Sequence, residues 1–120
     1  MEEHVEIPKP TEADKAYFRS IVPADPRVEV KPMFGNLGAF VNGNMFMGLF
    51  GSDIGVKLGP TDAAELLDVD GAGPFGPAER PMGGYVALPS AWRAGAQTTR
   101  WVARALDHVA ALPPKALKRG

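Results

Sequence analysis

The segment from Asp68 to Glu79 gathers the residue types best suited to chemistry in this chain of 120 residues. Asp68, Asp70, Gly73 and Glu79 stand at positions 1, 3, 6 and 12 of a calcium loop of the helix–loop–helix kind, where carboxylates supply hard oxygen ligands around a glycine turn. Ala72 occupies a ligand position, however, Pro74 and Pro77 stiffen the loop, and no long helix follows. An acidic turn without a metal is therefore expected. Gly71, Gly73 and Gly76 also spell G-x-G-x-x-G. A dinucleotide cradle needs a strand before the glycines and a helix after them, so that the helix N-terminus faces the pyrophosphate. Here the order is helix, glycines, prolines and strand, and no cofactor is expected.

Catalytic constellations are equally sparse. The chain has no cysteine, which removes disulfides, thiolate catalysis and zinc–thiolate sites together. Its two histidines are His4, near the start, and His108, on an expected helix with no metal-ligand spacing around it. Ser20, Ser52 and Ser90 lack the strand–turn–helix setting of a nucleophile elbow. No pair of carboxylates falls on strand ends beside an apolar stretch, as general acid–base chemistry requires. No catalytic residue is assigned, and the chain is expected not to be an enzyme.

Charge excludes more. The formal net charge is −1, unlike that of a general nucleic-acid binder, which clusters Lys and Arg against phosphates. Its distribution is uneven: Glu2, Glu3, Glu6, Glu12 and Asp14 open the chain, whereas Arg93, Arg100, Arg104, Lys115, Lys118 and Arg119 crowd its end. The simplest reading is a solvated helix face with a basic tail. Arg93, Arg100 and Arg104 are the candidates for a weak anion or nucleic-acid contact. The acidic start lacks the pattern of a secretory leader, and no apolar run approaches the roughly 18 residues of a membrane helix. A cytoplasmic protein without a membrane partner is expected.

The elements that must position these residues follow from pattern. Thr11 and Asp14 have the spacing of a capping box, and Ala16, Tyr17, Phe18, Ile21 and Val22 form the apolar face of a first helix. Pro23 and Pro26 end it. Val28, Val30 and Met33 alternate with Glu29 and Lys31, as in a half-buried strand. Asn42-Gly43 predicts a two-residue hairpin of type I′, and Gly51-Ser52 predicts a second of type II′. Strict alternation from those turns puts Phe40, Met45, Met47, Leu49, Ile54, Val56 and Leu58 on one face, the expected core. It leaves Leu37, Val41, Phe46 and Phe50 on the other face, as an apolar surface for a second copy or a protein partner unless the chain's own segments cover it. Thr61 or Asp62 should cap a short helix to Leu67. Arg80 to Met82 and Tyr85 to Leu88 suggest strands about a Gly83-Gly84 turn, and Ala96 to Ala111 a last helix stopped by Pro113-Pro114. The fold expected is α+β, an antiparallel sheet of about five strands with flanking helices, in the order α-β(3)-α-β(2)-α. One domain spans 1–120, with tails at 1–10 and 116–120.

Met33-Phe34-Gly35, Asn42-Gly43 with Met45-Phe46, Val56-Lys57-Leu58, Arg80-Pro81-Met82-Gly83-Gly84-Tyr85, Pro89, Trp101 and Leu112-Pro113-Pro114-Lys115 occur in this order. In order and spacing they resemble the N-terminal domain of the TfoX/Sxy family, over roughly residues 10 to 115. The resemblance implies the same α+β domain. In longer bacterial members it precedes a helical domain, and the protein regulates natural competence genes; that second domain is expected to be absent here. The family implies no catalytic residues. Two functional readings result: a regulatory or interaction module acting through the apolar sheet face or through Met33-Phe34-Gly35, and a ligand-binding protein or small enzyme with a pocket near Met33, Phe34, Arg80 and Tyr85.

Overall fold

Helix α1 (Glu12–Ile21) starts where its cap chemistry dictates. The Asp14 amide donates to Thr11 Oγ1 at 3.0 Å and the Thr11 amide to Asp14 Oδ2 at 2.9 Å, so two of the amides that a helix start leaves unpaired are satisfied reciprocally. The computed structural model describes residues 8–93 and 95–114. After α1 come β1 (Val28–Met33), β2 (Asn36–Val41), β3 (Asn44–Phe50), β4 (Asp53–Lys57), α2 (Pro60–Leu67), β5 (Gly73–Pro74), β6 (Tyr85–Ala87), a 3₁₀ turn at Ser90–Trp92 and α3 (Ala96–Ala110). The six strands form one antiparallel sheet in the order β1-β2-β3-β4-β6-β5.

This is the expected α+β architecture with one strand more. Asn42 and Gly43 both take positive φ, 54° and 81°, as a type I′ turn demands. Gly51 opens the second hairpin at φ 64°. Two local expectations are corrected. Pro60 at the first helical position places the cap of α2 on Gly59 rather than on Thr61 or Asp62. The segment Arg80–Met82 is not a strand; the short strand is Gly73–Pro74, paired with β6. Most of the expected tails, and His4, Lys115, Lys118 and Arg119, lie outside the described residues. Pro8 is tied down, since its carbonyl accepts a hydrogen bond from the Asn36 side chain at 3.2 Å.

The central correction concerns the two sheet faces. Pairing runs Val41 to Asn44 and Phe40 to Met45, as two-residue hairpin geometry requires, but Ala39 then pairs with Met47 and not with Phe46. Phe46 is the extra residue of a β-bulge, and a bulge reverses the face on which every later side chain of its strand leaves. Leu37, Ala39 and Val41 therefore share a face with Met47, Leu49, Ile54 and Val56, and Phe46 joins them. Helices α1 and α3 cover this face with Phe18, Trp101, Val102, Leu106 and Val109. Leu37, Val41 and Phe46 are thus core residues, with Val41 and Phe46 wholly buried. They do not form the exposed apolar surface expected from strict alternation. Phe40 and Met45, expected in the core, belong to the opposite face.

Replacing Phe46 by Ala should cost about 3–5 kcal/mol, the range for deleting a buried aromatic. Phe50→Ala should cost clearly less, because Phe50 is only half-buried. Urea denaturation of the two variants checks this assignment; equal losses would contradict it.

Candidate functional site

The sheet face away from the helices carries a row of small residues across five strands. Gly38 pairs with Gly48, Gly48 with Gly55, Gly55 with Ala87, and Ala87 with Gly73. With no side chain larger than the Ala87 methyl, the row lets neighbours lie flat on the backbone. A Cβ at Gly38 would come 2.8 Å from Met45 Sδ, and one at Gly55 would overlap the Phe75 ring. Phe75, in the segment between β5 and β6, therefore plugs onto the sheet and is 2% exposed. It meets Phe50 edge to face at a centroid distance of 6.1 Å and Tyr85 at 6.2 Å.

This plug holds the rest of its segment above the sheet. The Met82 amide donates to the Phe75 carbonyl at 2.9 Å, and the Arg80 amide to that of Pro77 at 3.0 Å. Tyr85 donates its hydroxyl to the Met45 carbonyl at 2.8 Å. Burial raises the Tyr85 phenol above its ordinary range, so it stays a neutral donor at physiological pH.

A groove of about 820 Å³ opens beside the plug. It is lined by Met33 and Phe34 of the β1–β2 turn, by Met45, Gly48 and Phe50 of β3, and by Phe75, Pro77, Glu79, Arg80 and Met82. The volume falls in the range of small-molecule sites. Its polar lining is small. The Asn36 amide, 5% exposed, already donates to Pro8 and accepts from the Gly51 amide at 2.8 Å. Glu79 and Arg80 are exposed, and among the described residues no ion pair engages either side chain.

Phe34 is the anomaly of the site. Its φ is 50°, with Gly35 at 81°, so the β1–β2 hairpin turns through Phe-Gly where Asn-Gly is the unstrained choice. A bulky residue in the left-handed region is uncommon and costs energy. Its ring gains little from the chain in return, being 80% exposed.

Of the pocket residues expected from sequence, Met33, Phe34 and Arg80 come together in the groove. Tyr85 stands behind it, packed on Phe75. Phe75 lacked a signal in sequence, because nothing local says that a phenylalanine between Pro74 and Gly76 returns to the sheet.

Among the described residues, two of the three candidate arginines are engaged within the fold. Arg93 donates to Asp14 Oδ1 at 2.7 Å and to the Ser52 carbonyl at 3.1 Å, with its guanidinium 4.6 Å from the Tyr17 ring. Arg104 lies 3.6 Å from both Asp62 and Glu65 and 4.5 Å from the Trp101 ring. Both tie helices to their surroundings, which leaves Arg100 as the exposed cation of the three. A nucleic-acid contact through Arg93 and Arg104 would first have to break these pairs. Among the described residues, no three His, Asp or Glu side chains gather as a metal would need, and no helix is long and apolar enough to cross a membrane.

Comparison with known proteins adds one match. The family model of the TfoX N-terminal domain covers residues 20–109. No curated protein matches the chain.

The Asp14–Arg93 tie carries a pH dependence. The Asp14 carboxyl is held below its ordinary value by the Thr11 amide first, then by Arg93 and the Thr11 hydroxyl. A group depressed in the folded state stabilises the fold above its unfolded pKa and loses that contribution as pH falls through the folded value. Asp14→Asn should therefore lower the melting temperature at pH 7 and narrow the gap to wild type as pH falls below the ordinary carboxylate range. Thermal melts between pH 2 and 7 check this; a constant gap would contradict it.

Proposed function

The chain belongs to the family of the TfoX N-terminal domain, a regulatory domain of the competence type at family level, and on that premise we propose that it is a non-enzymatic regulatory module whose working surface is the groove beside Phe34. The observation that carries this reading is Phe34 itself, a strained and 80% exposed aromatic at the lip of an apolar groove. Strain of this kind persists where function requires it. The residue gives the fold less than Asn would, and it offers a binding surface more.

Binding rather than catalysis also suits the polar inventory. The Asn36 amide is spent on the backbone and the Tyr85 hydroxyl on Met45. Glu79 and Arg80 remain, a single carboxylate and a single guanidinium. Acid–base chemistry asks for a group poised near the working pH. Methionines 33, 45 and 82 line the groove instead, and their flexible, polarisable side chains adapt to an apolar guest. The module is proposed to act in the cytoplasm.

Phe34→Asn separates stability from function. It should raise stability by on the order of 1 kcal/mol, a shift of a few degrees, because Asn tolerates positive φ. In the host cell the same substitution should reproduce the transcript changes of a deletion strain at unchanged protein level. A variant that regulates like the wild type would overturn the groove as the working surface.

A further inference from the structure

The reading above leaves the guest of the groove unnamed, and the following rests on that reading. We propose that the groove binds a small amphipathic carboxylate: an apolar body of acyl-chain type seated on Met45, Phe50, Phe75 and Met82, with its carboxylate on the Arg80 guanidinium. The volume of about 820 Å³ lies within the range of small-molecule sites and leaves ample room for an acyl chain. The floor is apolar, so a guest contributes most by burying methylenes, at roughly 0.8 kcal/mol each.

Charge decides the head group. Among the described residues, Glu79 and Arg80 are the charged groups lining the groove, and the nearby β1 charges pair with each other, Lys31 Nζ lying 3.9 Å from Glu29. Arg80 presents a planar fork of donors that matches a carboxylate with two parallel hydrogen bonds. Glu79 can only accept, and an apolar ammonium would meet it as a point charge without that fit. The two residues also fix the signs of the test, because a carboxylate guest is attracted by one and repelled by the other.

The test is calorimetric titration of the full chain with decanoate, against decyltrimethylammonium and decanol as cationic and neutral controls of equal tail length. Decanoate should bind saturably at one per chain and more tightly than either control. Arg80→Gln should weaken it about tenfold, as loss of a charge-assisted hydrogen bond does. Glu79→Gln should tighten it, and Arg100→Gln on α3 should leave it unchanged. Arg80 and Glu79 are both exposed, so these variants keep the fold, and circular dichroism confirms that they do. Preferred binding of the ammonium, or decanoate binding indifferent to Arg80, overturns the carboxylate. So does capture of the chain by phosphatidylglycerol vesicles, or its dimerisation through Phe34, without decanoate binding. The broader reading fails separately, through a Phe34→Asn strain that regulates normally; decanoate failing while that strain is defective removes only this guest.

Discussion

One extra residue in β3 decides what each face of the sheet can be. Without the bulge at Phe46, the Asn42-Gly43 turn would put Met45, Met47 and Leu49 on one face, and Phe46 would leave on the other. With it, Met45 departs on the groove side while Phe46, Met47 and Leu49 all enter the core beneath α1 and α3. Two adjacent side chains buried under the same face, both at 0% exposure, are available to a strand only where its alternation is interrupted. The helical face thereby gains a large aromatic. The opposite face keeps the glycines at 38, 48 and 55 in one cross-strand row.

That row explains why the second face is neither a solvated polar surface nor a second complete core. Phe75 lies where a Cβ on Gly55 would have to be, and Met45 lies over Gly38. Their packing anchors the segment from Phe75 to Met82 without any regular element spanning it. The segment closes over the β4 and β6 side of the sheet, where Phe75 and Tyr85 meet, and the β2 and β3 side stays open as the groove. A loop held by one buried aromatic and a few backbone hydrogen bonds is a low-cost way to build a wall, and it leaves that wall's charged residues, Glu79 and Arg80, exposed.

Much of this was legible in the sequence where a single local interaction decides the outcome. The Thr11–Asp14 box, the Asn42-Gly43 and Gly51-Ser52 turns and the span of α3 depend on residues within four positions of one another. The faces were not legible, because strict alternation carries one bulge forward as an inverted assignment; Leu37, Val41 and Phe46 were displaced together for that one reason. Arg93 and Arg104 look like a basic patch in sequence because their partners, Asp14, Asp62 and Glu65, lie far along the chain and meet them only in the fold. Met33, Phe34 and Arg80 could be singled out from sequence, but the residue that gathers them around a groove, Phe75, acts through a glycine twenty positions away.

Phe34 and Gly55 place opposite demands on one face of a small sheet. Gly55 gives up a side chain so that Phe75 can pack, and the fold gains a buried aromatic in return. Phe34 accepts left-handed backbone and gains no comparable burial from its own chain. A sequence shaped by stability alone would place Asn before Gly35, as it does before Gly43, where the same turn geometry recurs. The two type I′ turns thus serve as an internal control, with equal backbone demands and opposite residue choices. The turn at Asn42 lies away from the groove and follows the backbone rule, whereas the turn at Phe34 lies on its lip and breaks that rule. The difference between them is the groove, and it is on this contrast that the proposal of a binding role for Phe34 rests.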